Sequence, residues 1–133
     1  MTALFAKDIA ELDWLVERGF SRREVDDHVF DFVGPGYTIR LTDDSFSTLI
    51  SVGSARLEWT DFAWVAQILG GDEVFEHRDG PTQAEQMRCL KTRFEVIDNV
   101  LRNGDLAALT AEVSRRAKAF HAEVSARIDA LRK

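Results

Sequence analysis

Asp26, Asp27 and His28 form the group whose residue types come closest to catalytic or metal-binding chemistry. Alternate side chains of a strand share a face, so Asp26 and His28 would lie together. A carboxylate placed there could orient the imidazole, or both groups could bind a metal ion. The sequence offers no obvious third ligand, and a solvated strand end explains the same residues. We therefore predict no metal site and keep Asp26 and His28 as the rim of an alternative ligand pocket.

Cys89 is the one cysteine of the chain, which excludes an internal disulfide and a cysteine-rich zinc site. Its basic neighbours Arg88 and Lys91 could lower the pKa of the thiol. A small core or boundary residue is the simpler interpretation. The histidines, among them His77 and His121, lack the i, i+4 spacing of a helical zinc motif. We predict no catalytic residue and no cofactor.

Residues 29–59 alternate apolar and polar positions between three turn signals, which predicts a four-stranded antiparallel meander. If every turn is a two-residue loop, Phe32 faces Ile39 and Leu41 faces Phe46. The same register places Thr48 opposite Trp59. The predicted apolar face comprises Phe30, Phe32, Tyr37, Ile39, Leu41, Phe46, Ile50, Leu57 and Trp59.

The opposite face of this sheet is mostly polar, which is typical of a sheet covered on one side only. Asp31 would lie opposite Arg40, and Ser51 opposite Arg56, with Glu58 beside them. Charged and polar residues with aliphatic neighbours make a mixed surface of the kind that protein interfaces use. We predict that these five residues form an interaction surface.

Helices are predicted before and after the sheet in the sequence. Residues 2–18 show helical spacing of apolar positions, with Thr2 as cap and Gly19 as stop. Residues 61–69 have almost no polar face, which predicts a short buried helix. A charged loop containing His77 follows. Thr82 and Glu85 form a capping box for a helix that ends near residue 102.

The last predicted helix, residues 105–132, carries apolar residues in steps of three and four and would be about 40 Å long. It pairs most simply with the preceding helix in an antiparallel helical hairpin. Its length also fits a dimer seam or a site for a partner helix. Both alternatives remain open from the sequence.

These elements predict a single α+β domain over residues 1–133: an N-terminal helix, the meander covered on one face, the short buried helix and the C-terminal hairpin. No apolar run approaches the length of a membrane span, and the N-terminal residues do not resemble a signal peptide. We therefore expect no membrane partner and a cytoplasmic location.

The chain has 17 Lys and Arg against 23 Asp and Glu, a net charge of −6, which argues against nucleic-acid binding. Without a catalytic group, the pattern favours a non-enzymatic protein-binding module: an acidic inhibitor of the immunity or antitoxin kind, or an escort of a basic partner protein. Self-association through the C-terminal helix is a further possibility. The alternative is a small-molecule-binding domain or enzyme with a pocket between sheet and helices.

Overall fold

Five antiparallel strands and five α-helices make up the described residues, 1–70 and 80–132, of a computed structural model. Most of the predicted charged loop, with His77, lies outside them. The helices are α1 (Ala3–Glu11), α2 (Phe62–Leu69), α3 (Gln83–Thr92), α4 (Phe94–Asn103) and α5 (Leu106–Arg132). The strands are β1 (Ser21–Glu24), β2 (Val29–Val33), β3 (Thr38–Asp43), β4 (Thr48–Ser54) and β5 (Leu57–Asp61).

The predicted N-terminal helix is divided in two. Thr2 caps α1 by accepting a 3.1 Å hydrogen bond from the Phe5 backbone N–H. From Asp13 to Arg18 the chain continues as a 3₁₀ helix, which ends at Gly19 with φ +93°. The tighter helix brings every third residue to one side. Leu12 and Leu15 are therefore both buried.

The antiparallel sheet has the strand order β1-β2-β3-β4-β5, so the predicted α+β class is confirmed with one strand more than expected. The additional strand is β1, whose four residues are all exposed. Ser21 to Glu24 contain no apolar residue, and a polar edge strand gives no alternation to detect. Its pairing with β2 places Arg23 beside Asp31.

The first two predicted turns, β2–β3 and β3–β4, are both two-residue loops, but only the first lies where it was predicted. Phe32 pairs with Ile39, as expected. In the second turn the loop residues are Ser45 and Phe46, because Asp44 N–H donates to the Ser47 carbonyl at 2.9 Å. This shifts the partner of Leu41 from Phe46 to Ile50. The shift is an even number of residues, so the faces of β4 are preserved.

The third turn combines a displaced loop with a bulge. Ser54 pairs with Leu57, whereas Val52 pairs with Thr60, so the register changes by one residue between Val52 and Ser54. A one-residue change moves the following side chains to the other face. Leu57 stays in the core, but Trp59 does not, which corrects its predicted position.

One hydrophobic cluster joins the sheet to the helices. Its fully buried side chains include Phe5, Leu12, Leu15, Phe32, Ile39, Leu41, Ile50, Phe62, Leu90, Ile97 and Leu101. The Thr82–Glu85 capping box is present. The helix predicted to follow it is broken at Arg93 into α3 and α4.

The predicted C-terminal hairpin is only roughly matched. Residues 106–132 form one long helix, α5, which packs mainly against α2 and β5. Leu106 and Leu109 are the buried residues of this helix. Its second half therefore extends beyond the part that the core holds.

Candidate functional site

The predicted interaction surface contains a buried ion cluster rather than a row of free charges. Asp31 is 0% exposed although it faces away from the hydrophobic core. Its Oδ1 accepts a hydrogen bond from Arg40 Nε at 2.8 Å, and its Oδ2 accepts from Arg40 Nη2 at 3.0 Å. Arg23 on β1 donates to the same Oδ2 at 2.7 Å. Asp31 is therefore occupied by its own chain.

The charge state of this cluster follows from its geometry. Burial alone raises the pKa of Asp31, but hydrogen bonds from Arg40 and Arg23, with the attraction of their charges, outweigh burial and hold the pKa below its ordinary value. Asp31 in turn raises the pKa of Arg40. All three groups are charged at neutral pH, and the cluster carries one net positive charge.

Trp59 belongs to the same face, and the sequence alone assigned it to the core. The Arg40 guanidinium carbon lies 4.2 Å from the centroid of the Trp59 ring, a cation–π contact. The ring lies over Gly53, where any Cβ would approach its carbons to 2.8 Å. Trp59 is 49% exposed. Tryptophan and arginine are the residues most often enriched at the energetic centres of protein interfaces.

Of the remaining predicted members of the surface, one lies beside Arg40 and two do not. Ser51 pairs with Arg40 in the neighbouring strand and is half-buried. Arg56 lies in the turn between β4 and β5, and its Nη2 donates to the Arg102 carbonyl at 2.9 Å. Glu58 is exposed on the edge strand β5. The structure thus brings Asp31, Arg40 and Ser51 together and directs Arg56 toward the end of α4.

Asp26 and His28 lie in the loop between β1 and β2 and are both exposed. The Asp26 carboxylate accepts a 2.7 Å hydrogen bond from the backbone N–H of His28, which fixes the loop. His28 Nδ1 lies 4.0 Å from Asp43 Oδ2. These contacts shape an exposed loop at one end of the sheet, where the Thr2 hydroxyl also donates to Asp43 Oδ2 at 3.4 Å.

That end of the sheet presents an apolar side chain that the sequence also assigned to the core. Phe46, at the tip of the β3–β4 turn, is 94% exposed. Ser45 holds the turn with φ +69°, and its N–H donates to Asp43 Oδ1 at 3.1 Å. Positive φ is what two-residue hairpin loops require. The exposed position of Phe46 is therefore fixed by the backbone of the turn.

Two neighbouring loops at the end of the sheet that carries Phe46 are rich in carboxylates. We call residues 24–28 and 43–47 the acidic loop pair; their acidic members are Glu24, Asp26, Asp27, Asp43 and Asp44. The loops are adjacent because Val29 pairs with Thr42, and Asp43 N–H donates to the His28 carbonyl at 2.7 Å. Neither loop contains Lys or Arg. The acidic loop pair thus combines negative charge with one projecting aromatic ring.

A second polar arrangement connects the sheet to α4. Tyr37 donates a 2.7 Å hydrogen bond to Asp98 Oδ1, and Arg102 donates to Asp98 Oδ2 from Nε at 3.0 Å and from Nη2. Burial, then the hydrogen bond to Asp98, raises the pKa of Tyr37 well above its usual range. Asp98 and Arg102 line a groove of about 340 Å³ that Arg18 and Glu95 also border. Asp26 and His28 do not line it.

Cys89 lies in α3 and is fully buried. Within residues 1–70 and 80–132, no group of three or more His, Cys, Asp or Glu side chains is arranged to hold a metal ion. In the same part of the chain, no helix combines the length and the apolar character that a membrane crossing requires.

Comparison with known proteins gives no relative from which a function could be transferred. No family model, curated protein or solved structure matches the chain.

Proposed function

We propose that this protein is a non-enzymatic, cytoplasmic protein-binding module that captures a basic partner protein through the acidic loop pair. Inhibition of a toxic enzyme and escort of an unstable partner are the two activities that such a module would serve. The observation that carries the proposal is the 94% exposure of Phe46 among the carboxylates of two adjacent loops.

Binding would combine burial of the Phe46 side chain with electrostatic attraction by the nearby carboxylates. A phenylalanine side chain gains about 1.5–3 kcal/mol when it moves from water into an apolar pocket. The nearby carboxylates attract a basic surface, raise the rate of encounter and disfavour acidic partners. The local hydrogen bonds at Asp26 and Asp43 hold both loops in shape before binding, which reduces the entropy lost on association.

The test is affinity capture with the full chain as bait, in lysate of the source organism at low and at moderate salt. We expect the wild-type chain to retain a basic protein, Phe46→Ala to lose it, and retention to fall as salt rises. Val96→Ala is the matched control, because Val96 is an exposed apolar residue of α4, outside both loops. An identical set of captured proteins with Phe46→Ala would contradict the proposal.

A double variant distinguishes the contribution of the carboxylates to binding from that of Phe46. Asp27→Asn and Asp44→Asn together remove two charges but leave the loop-fixing carboxylates of Asp26 and Asp43 in place. We expect this double variant to slow association more than it speeds dissociation. Because Phe46 contributes almost no buried surface, Phe46→Ala should change the free energy of unfolding by less than about 0.5 kcal/mol.

The alternative, a small-molecule-binding domain or enzyme, has one observation in its favour, the groove beside Asp98 and Arg102. Its lining is mostly polar, whereas small-molecule sites are usually lined mainly by apolar side chains. A thermal-shift screen against metabolites tests it: a ligand response that Arg102→Gln abolishes would favour this alternative over the protein-binding proposal.

A further inference from the structure

The apolar stripe of α5 continues past the end of the hydrophobic core. Its members, spaced by three or four residues, are Leu106, Leu109, Val113, Ala117, Phe120, Val124, Ile128 and Leu131. This spacing keeps them on one face of the helix. The first two are buried and Val113 packs against the core, but Ile128 is 44% exposed and Leu131 is 87% exposed. Among the described residues, this stripe is thus buried at its beginning and exposed at its last two positions.

Within residues 1–70 and 80–132, the stripe contacts another helix through Phe120. The ring of Phe120 meets Trp64 of α2 edge-on, with the centroids 6.1 Å apart. From Phe120 to Leu131 the helix advances about 16 Å at 1.5 Å per residue, which is three turns. An apolar stripe maintained over three turns outside the core is typical of a helix that packs on another helix.

We propose that a second copy of this chain covers this stripe, with the two α5 helices antiparallel about a twofold axis that lies on the stripe side, midway between Val124 and Ile128. In this arrangement Val124 of each chain lies opposite Ile128 of the second copy, and Leu131 reaches Phe120 of the second copy. The same pairing applies in both directions, as a twofold interface requires. In this register every apolar residue of the exposed part of the stripe lies opposite another apolar residue of the second copy.

The charges along one edge of the stripe select the same arrangement. Glu123 and Arg127 form an ion pair of 2.9 Å within the helix. With antiparallel helices about this axis, Glu123 of one copy lies near Arg127 of the other, twice per dimer. A parallel, in-register pair would instead place this edge against the opposite edge of the partner's stripe, where His121 and Ser125 lie, and would form no such ion pairs. Charges that flank an apolar seam commonly set helix orientation in this way.

The interface between the two α5 helices is short, so the dimer should be weak. Three turns of one helix bury less surface than the standard interface of about 800 Å² per partner. The expected species is a monomer and dimer in exchange, with a dimer population that rises with concentration. This interface is remote in sequence from the acidic loop pair, and its test is independent of the proposed function.

Sedimentation equilibrium of the full chain over about 10–500 µM tests the proposal. We expect the average mass to rise from 15.0 kDa toward twice that value. Ile128→Asp should keep the chain monomeric throughout. Ala122→Asp, the matched control on the opposite exposed face of α5, should leave the equilibrium unchanged. A wild-type chain that stays monomeric, or an Ile128→Asp chain that still dimerises, would overturn the proposal.

A charge exchange tests the orientation. Arg127→Glu should weaken the dimer because it places acidic groups opposite one another, and Glu123→Arg should weaken it by the same logic with basic groups. The double variant Glu123→Arg, Arg127→Glu should restore most of the lost association. Circular dichroism would verify that each variant keeps its helix. Equal dimerisation in all three variants would reject the antiparallel arrangement.

Discussion

The guanidinium carbon of Arg40 lies 4.2 Å from the centroid of the Trp59 ring, on the side of the sheet opposite the hydrophobic core. Arg40 is held from one side by the buried Asp31 carboxylate and from the other by this ring. The bulge between Val52 and Ser54 makes the contact possible, because it turns Trp59 away from the core. One irregularity between β4 and β5, with Glu58 and Trp59 opposite Gly53, thus joins three strands through side chains.

We expect Gly53→Ala to destabilise the protein by about 1–3 kcal/mol, the usual effect of forcing a group into a packed site. The added Cβ would lie 2.8 Å from the Trp59 ring, so the ring has to move. Urea unfolding gives the magnitude. In a strand without such a contact, replacing glycine by alanine usually raises the free energy of unfolding. A decrease at Gly53 would therefore be caused by the contact with Trp59.

The matching double variant isolates this contact. In a Trp59→Leu background the space above Gly53 is larger, and the loss caused by Gly53→Ala should fall by more than half. The difference between the two backgrounds is the coupling energy of the pair. The same loss in both backgrounds would show that the ring is not the cause.

We expect Asp31→Asn to lower the free energy of unfolding by about 1–3 kcal/mol at neutral pH, because two arginines lose their buried acceptor. The folded pKa of Asp31 lies below the ordinary value of 3.8. Asp31 therefore stabilises the fold above pH 3.8, and this contribution disappears as the pH falls through the folded pKa. The advantage of wild type over Asp31→Asn should shrink below about pH 4.

Denaturant unfolding at a series of pH values measures this dependence. Asp27→Asn is the control, because Asp27 is exposed and its substitution should change stability by less than about 0.5 kcal/mol. A difference between wild type and Asp31→Asn that stays constant from neutral to strongly acidic pH would be inconsistent with the ion cluster.

Tyr37 gives a prediction at alkaline pH. Its folded pKa is raised above the ordinary value of 10.0, so the folded state holds the proton more tightly than the unfolded state. The stability from this group is complete below pH 10.0 and declines as the pH rises above it. Tyr37→Phe should remove this decline and should cost about 1–2 kcal/mol at neutral pH through the lost bond to Asp98.

Tyr37 is the one tyrosine in the sequence, so the near-ultraviolet absorbance of tyrosinate reports it directly. We expect no tyrosinate signal from the folded protein near pH 10.0, followed by a steep rise that coincides with unfolding seen by circular dichroism. A gradual titration centred near the ordinary pKa while the protein remains folded would be the contrary result.

The elements that the sequence predicted well depend on neighbouring residues. Thr2 caps α1, the Thr82–Glu85 box begins α3, and the first hairpin has the expected register. Each of these features involves residues close together in the chain, so the local sequence is nearly sufficient to predict it. The polar edge strand β1 and the break at Arg93 left no such signal in the sequence.

The candidate sites were predicted less well, for a geometric reason. A polar turn segment accommodates a two-residue loop at several positions, and displacing the second loop by two residues preserves the alternation of β4 while it moves Phe46 from the core to the surface. The bulge in β5, by contrast, changes the face on which the residue at position 59 lies, and this exposes Trp59. Asp31 was correctly paired with Arg40, but its burial depends on Arg23 of a strand that had not been predicted.

The sequence by itself determined the α+β class, the antiparallel sheet and the apolar face of each long element, because hydrophobic periodicity and local caps are written in neighbouring residues. Tertiary structure alone decided the register of the later strands, the exposure of Phe46 and the contact between Tyr37 and Asp98, which are 61 positions apart. These features depend on which of several locally equivalent alternatives buries the most apolar surface. The amount of buried apolar surface depends on how all the core side chains pack together, so it is not determined by any one segment of the sequence.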